Sequence, residues 1–230
     1  MTTIPVNIAK VQHRIQQAAT KSRRDVSDIT LMAVSKTQSA NAIAEAHLQG
    51  GLQHFGENYA QEAEDKLVTL KHLPLIWHFI GPLQSNKTRL VAEQFHWCHS
   101  LNRLKIAERL QEQRLVGLPP LNVCVQINID DEQSKSGLAL TEVPALIHAL
   151  QKMDRLAVRG LMVIPKADQP AAATLASFQR TAACLQALQQ QFPALALDTL
   201  SMGMSADLEL AIEAGSTMVR IGTDIFGKRL

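Results

Sequence analysis

The segment Leu197–Ile221, LDTLSMGMSADLELAIEAGSTMVRI, decides the fold. Leu197–Ser201 reads as a short strand. Ala206–Ala214 reads as a helix, with Leu208, Ala211, Ile212 and Gly215 on one face. Met218–Ile221 is a second short strand. Two short strands separated by a helix imply a crossover between parallel neighbours.

The same alternation runs upstream. Strands are expected at Ile29–Lys36, Gln53–Glu57, Leu75–Ile80, Phe95–His99, Leu121–Ile129 and Ala157–Ile164. Helices are expected at Asn41–Gln49, Gln61–His72, Asn86–Gln94, Leu104–Arg114, Val143–Met153 and Ala171–Gln191. The last of these carries Leu175, Phe178, Ala182 and Leu185 on one stripe. Ahead of the first strand lies an amphipathic helix with Ile8, Val11, Ile15 and Ala18 on one face. Eight strand–helix units close most naturally into a (β/α)8 barrel of the α/β class. The rival, an open doubly wound sheet, loses ground because the first strand–helix turn lacks the glycine fingerprint of dinucleotide binding. The expected organisation is one domain over residues 1–230, with residues 1–25 as a helix packed on the barrel.

The 230 residues carry 23 basic and 21 acidic side chains. The basic residues are scattered, and no stripe suited to nucleic acid emerges. Cys98, Cys124 and Cys184 stand far apart in an odd number, which argues against a disulfide framework or a zinc site. No secretory signal or membrane span is read, so a cytoplasmic protein is expected.

In such a barrel the chemistry sits at the C-terminal strand ends, and phosphate groups favour the loops after strands seven and eight. Strand seven ends in SMGMS, Ser201–Ser205, and strand eight in VRIGT, Val219–Thr223. Gly203 frees the backbone, and Ser205 is expected as the N-cap of the following helix, whose N–H groups would favour an anion. Gly222-Thr223 offers a second cradle. GTDIFGK, Gly222–Lys228, imitates a P-loop, but Arg229 follows where a hydroxyl residue is needed. Lys36 stands at the end of the first strand. Alone it reads as an ordinary strand-end lysine. Arg220, in an otherwise apolar strand, needs a polar partner if it faces inward. A lysine, a phosphate cradle and a strand-borne arginine together describe a pyridoxal 5'-phosphate (PLP) site, with the lysine as Schiff-base former and the arginine facing the pyridine nitrogen.

The segments AVSKT, HFGENY, WHFIGPLQSNK, EQSKSG, RGLM and SMGMSADLELAIEAGSTMVRIGTDIFG extend this match. Through them the chain resembles the YggS/PROSC family of PLP homeostasis proteins. The resemblance implies a single barrel like the N-terminal domain of alanine racemase. It implies Lys36 as the Schiff-base lysine, Arg220 at the pyridine nitrogen, Ser205, Gly222 and Thr223 at the phosphate, and Asn58 beside the ring. It implies a role in holding PLP and balancing vitamin B6 and amino acid pools, with PLP-dependent apoenzymes as recipients.

A racemase needs an acid/base group on each face of the substrate carbon. The sole tyrosine, Tyr59, reads as a half-buried packing residue. A cationic Arg220 also disfavours a protonated pyridine, which makes the ring a poorer electron sink. The expectation is a carrier with no dedicated reaction, acting as a monomer. A low-activity racemase is the alternative, and a barrel using Lys36 on sugar aldehydes is a third reading. His78 is read as a core or rim histidine that could touch the pocket. His96 and His99 flank Trp97-Cys98 without ligand geometry. Lys87 and Lys135 are read as loop lysines at the mouth.

Overall fold

The computed structural model describes residues 3–132 and 136–227. Eight parallel strands close into one barrel in chain order. They are β1 (Thr30–Val34), β2 (His54–Glu57), β3 (Ile76–Phe79), β4 (Trp97–Leu101), β5 (Leu121–Ile127), β6 (Leu156–Val163), β7 (Thr199–Ser201) and β8 (Met218–Ile221). β8 returns to pair with β1, Met32 opposite Arg220, so no edge is left open.

The helices surround this barrel. α1 (Ile4–Lys21) precedes β1, and α2 (Ala40–Leu48), α3 (Ala60–Thr69), α4 (Thr88–Gln94), α5 (Leu104–Gln113), α6 (Val143–Leu150), α7 (Ala171–Gln191) and α8 (Leu208–Glu213) follow successive strands. A last short helix, α9 (Thr223–Phe226), follows β8 and was not expected from the sequence. The α/β barrel reading holds, with most element ends moving by one to three residues.

The apolar face expected for α1 is buried: Ile8, Val11, Ile15 and Ala18. On α7 the buried face is rotated from the expected stripe. Thr174, Ser177 and Thr181 join Phe178 and Leu185, while Leu175 and Ala182 are only partly buried. Helical hydroxyls can bond back to carbonyls one turn earlier, as Thr181 does to Ser177 and Ser177 to Ala173. These three therefore pack inward without an unsatisfied polar atom.

Side chains of Cα-paired residues on neighbouring strands point to the same face. Val34 pairs with Gly56, Gly56 with His78, and His78 with Trp97. A Cβ on Gly56 would lie 2.6 Å from Met32 Sδ. Met32 in turn pairs with Arg220. One parity thus places Met32, Val34, His54, His78, His99, Ser201 and Arg220 on a common face, the barrel interior. Among the described residues no helix is long and apolar enough to cross a membrane.

Candidate functional site

β1 ends at Val34, two residues before Lys36. The Ser35 N–H still bonds Gly56 O at 2.9 Å, and the chain then turns through Thr37 at φ 66°. Lys36 is therefore delivered by a turn rather than by the strand itself. That turn is pinned on both sides of the lysine. Ser35 Oγ bonds Glu57 Oε1 at 2.6 Å, Lys66 Nζ bonds Ser35 O at 2.8 Å, and the Thr37 N–H bonds Glu62 Oε1 at 2.5 Å.

At the centre of the clamp is a buried ion pair, Lys66 Nζ to Glu57 Oε1 at 2.8 Å. Glu57 is fully buried and Lys66 is 6% exposed. Burial pushes the Glu57 carboxyl upward, against the pull of Lys66 and the Ser35 hydroxyl. Sequence reading missed this group, yet a signal was present. Lys66 falls on the apolar stripe of α3 with Ala63 and Leu67, where a lysine needs a partner.

Lys36, Arg220, Ser205, Gly222 and Thr223 line one cavity of about 280 Å³ at the C-terminal end of the barrel. Five of the six candidate residues thus converge from three strand ends. Asn58 follows β2 at the same end but does not line this cavity. Its Oδ1 is buried and has no hydrogen-bond partner among the described residues.

Arg220 is 4% exposed, and its guanidinium is held from below. Nη1 donates to Ser201 O and, at 3.0 Å, to Ser201 Oγ, while Nη2 donates to Val163 O at 2.9 Å. Burial lowers its pKa to about 10, partly offset by Asp207, so it stays cationic at neutral pH. Gly222 is close-fitting, since a Cβ there would lie 3.3 Å from Val34 O. Gly203, at φ 98°, turns the chain out of β7 where a Cβ would sit 2.6 Å from that of Ala211.

Ser205 is not the N-cap of α8. That position belongs to Asp207. The Asp207 carboxylate accepts the Met204 N–H at 2.6 Å, and the Asp207 N–H bonds back to Met204 O at 3.1 Å. This closed turn delays the helix and leaves Ser205 at the cavity rim. Tyr59 is also corrected: it is 56% exposed at the start of α3, because Ala60 and Ala63 rather than the ring face inward. His78 is a fully buried core residue. Lys87 ends a short 3-10 turn and bonds Gln61 Oε1 at 3.2 Å. Lys135 lies outside the described residues.

The first helix reaches the site through Arg14. Its guanidinium bonds Ser205 O at 2.8 Å, Glu209 at 2.8 Å and Asp224 at 2.7 Å. One side chain therefore ties together the loops that follow β7 and β8. Nothing in the local pattern of α1 reveals this, since the partners lie some 190 or more positions away. The Arg14→Ala protein is expected to lose about 1–2 kcal/mol of stability, less at high salt because two partners are partly exposed carboxylates. Thermal melts at low and high ionic strength check this.

A family profile described as "Alanine racemase, N-terminal domain" matches residues 6–229. The chain belongs to this family. It is 56% identical to a pyridoxal phosphate homeostasis protein of Pseudomonas aeruginosa, covering all of this chain and 97% of that protein. Among solved structures it is similar to PipY of Synechococcus elongatus with PLP bound, at 39% identity and a TM-score of 0.82, over 94% of this chain and all of that one. Alanine racemase of Corynebacterium glutamicum shares the barrel at 17% identity and a TM-score of 0.64. The match covers 96% of this chain but 61% of the racemase.

Proposed function

We propose that the cavity holds pyridoxal 5'-phosphate and that the protein keeps this cofactor available in the cell, handing it to PLP-dependent apoenzymes. The observation that carries this reading is the convergence of Lys36, Arg220, Ser205, Gly222 and Thr223 on one cavity. Its donor set suits the ligand. Two cations, two hydroxyls and a close-fitting glycine line it, and among the described residues no carboxylate does. The PLP-bound relative at 39% identity supports the same reading.

Bound there, PLP supplies an aldehyde that condenses reversibly with amines and a ring that can accept electron density. Lys36 holds the cofactor covalently through its ε-amine. Arg220 faces the ring nitrogen and, as a permanent donor, keeps a proton off it. Ser205, Gly222 and Thr223 would receive the phosphate, and Asn58, at the same barrel end but outside the cavity lining, would offer its buried Oδ1 toward the ring side.

A carrier without a dedicated reaction fits this set better than a racemase. Tyr59 is exposed at the start of α3 and does not line the cavity, so it does not supply the second acid/base group that racemisation needs. The protein is read as monomeric and cytoplasmic. The test mixes the PLP-loaded protein with the cofactor-free form of a PLP-dependent enzyme while a scavenger removes free PLP. Recovery of the enzyme's activity is expected. No recovery overturns the supply role, and amino acid racemisation above a free-PLP control overturns the carrier reading.

A further inference from the structure

The barrel interior contains a row of polar groups that a PLP pocket does not by itself require. His54 Nδ1 lies 2.9 Å from His78 Nε2, His78 Nδ1 lies 2.9 Å from His99 Nε2, and His99 Nδ1 lies 2.9 Å from Ser201 Oγ. Ser201 Oγ also receives Arg220 Nη1 at 3.0 Å. The row starts at His54, the first residue of β2 and so at the barrel end opposite the cavity mouth, crosses β3 and β4, and ends at Ser201, the last residue of β7, against Arg220.

The chemistry of the two ends sets its direction. Arginine only donates, so Ser201 Oγ accepts from Arg220. Among the described residues the hydroxyl proton then has His99 Nδ1 as its acceptor. A neutral imidazole that accepts at Nδ1 donates at Nε2. His99 therefore donates to His78 Nδ1, and His78, carrying its own proton on Nε2, donates to His54 Nδ1. Both inner rings are satisfied in this chain when neutral, since a doubly protonated His78 would turn its Nδ1–H toward His99 Nε2–H, and a doubly protonated His99 would turn its Nδ1–H toward the Ser201 hydroxyl proton. Burial agrees with this. It pushes His99 down to about 3, with the Arg220 charge adding to the effect, and it lowers His78 well below the ordinary histidine value. His78 also stacks on Trp97, centroids 5.5 Å apart, which fixes its plane.

We propose that His54, His78, His99 and Ser201 form a one-way hydrogen-bond chain that positions the Arg220 guanidinium from the far end of the barrel. All three imidazoles hold the Nε2–H tautomer. They are positioning residues for Arg220 and do not touch the cofactor. The proposal rests on the reading of Arg220 as the group facing the PLP ring, but its first test does not involve PLP.

That test is nitrogen NMR of the cofactor-free protein labelled in histidine and arginine. Three neutral rings protonated at Nε2 are expected. A charged ring, or an Nδ1 proton on any of the three, overturns the chain. The second test compares His54→Leu, which removes the terminal acceptor, with His54→Asn, whose Oδ1 replaces Nδ1. His54→Leu is expected to move the His99 and Arg220 nitrogen signals and to weaken PLP binding about fivefold, the size of one hydrogen bond. His54→Asn is expected to restore both. Unmoved His99 and Arg220 signals in His54→Leu overturn the proposal, and the wild-type tautomer measurement decides the matter if that variant does not fold. A wild-type protein with the expected tautomers but no affinity for PLP would instead overturn the function proposed above and leave the chain in place.

Discussion

The Lys36→Ala protein, mixed with pyridoxal 5'-phosphate and treated with borohydride, is expected to carry no cofactor-derived mass, whereas the wild type carries one adduct on the peptide that contains Lys36. The effect is all or none because the bond needs an amine and, among the described residues, Lys36 is the one amine that lines the cavity. Arg220 and the hydroxyls can still attract the phosphate and ring, but non-covalently. The fold is expected to survive. Ser35 and Thr37 are held by Glu57, Glu62 and Lys66, so the turn does not depend on the lysine between them. Lys36→Arg separates charge from nucleophilicity, keeping the cation and losing the adduct. Mass spectrometry of the trapped, digested protein reads both variants. An adduct on another lysine would displace Lys36 from the site, and no adduct on the wild type would remove the site altogether.

The largest stability effect is expected from Lys66→Met. Lys66 and Glu57 are buried together, 2.8 Å apart. Removing only the cation leaves Glu57 charged in the interior, which costs about 3–5 kcal/mol. For a chain of this length that corresponds to a melting temperature lower by roughly 10 °C. The double variant Glu57→Gln with Lys66→Met is expected to recover much of the loss, since no buried charge remains.

The pH dependence has a definite sign. Burial already raises the Glu57 carboxyl above its ordinary value, and removing Lys66 takes away its main opposing interactions. A carboxyl whose folded-state pKa lies above its unfolded value binds more proton when folded, so stability falls as pH rises through that interval. The Lys66→Met deficit should therefore be smaller at about pH 5 than at about pH 8. Denaturant titrations at both pH values check this, and a deficit independent of pH would mean that Glu57 is not the destabilised group. Loss of this pair should also loosen the turn that presents Lys36, slowing adduct formation without abolishing it.

Much of the barrel was legible along the chain. Parallel strands buried on both faces appear as short apolar runs, and the helices between them carry apolar stripes. β8 and α7 matched their expected limits, and Leu208, Ala211 and Ile212 are buried as their spacing required. Short elements were less visible. α9 spans only Thr223–Phe226, too few residues to show a period. Ser205 looked like a cap because serine commonly is one, but a carboxylate two residues later closed the turn first.

What the sequence by itself determined is the alternation of elements and the inward parity of single residues. Those two facts place Lys36, Arg220 and the glycine-rich ends at one mouth, because a parallel barrel sends all its C-terminal strand ends the same way. Only the tertiary structure decided what those residues touch. Arg14 reaches Ser205 across 191 positions, Lys66 finds Glu57 beneath the lysine turn, and His99 meets Ser201 across 102 positions. The Arg14 and His99 contacts depend on how the whole barrel closes, and the Lys66–Glu57 pair on how α3 packs back onto β2. A local pattern fixes which face a side chain takes, but partners far apart in sequence are chosen by how the whole barrel packs.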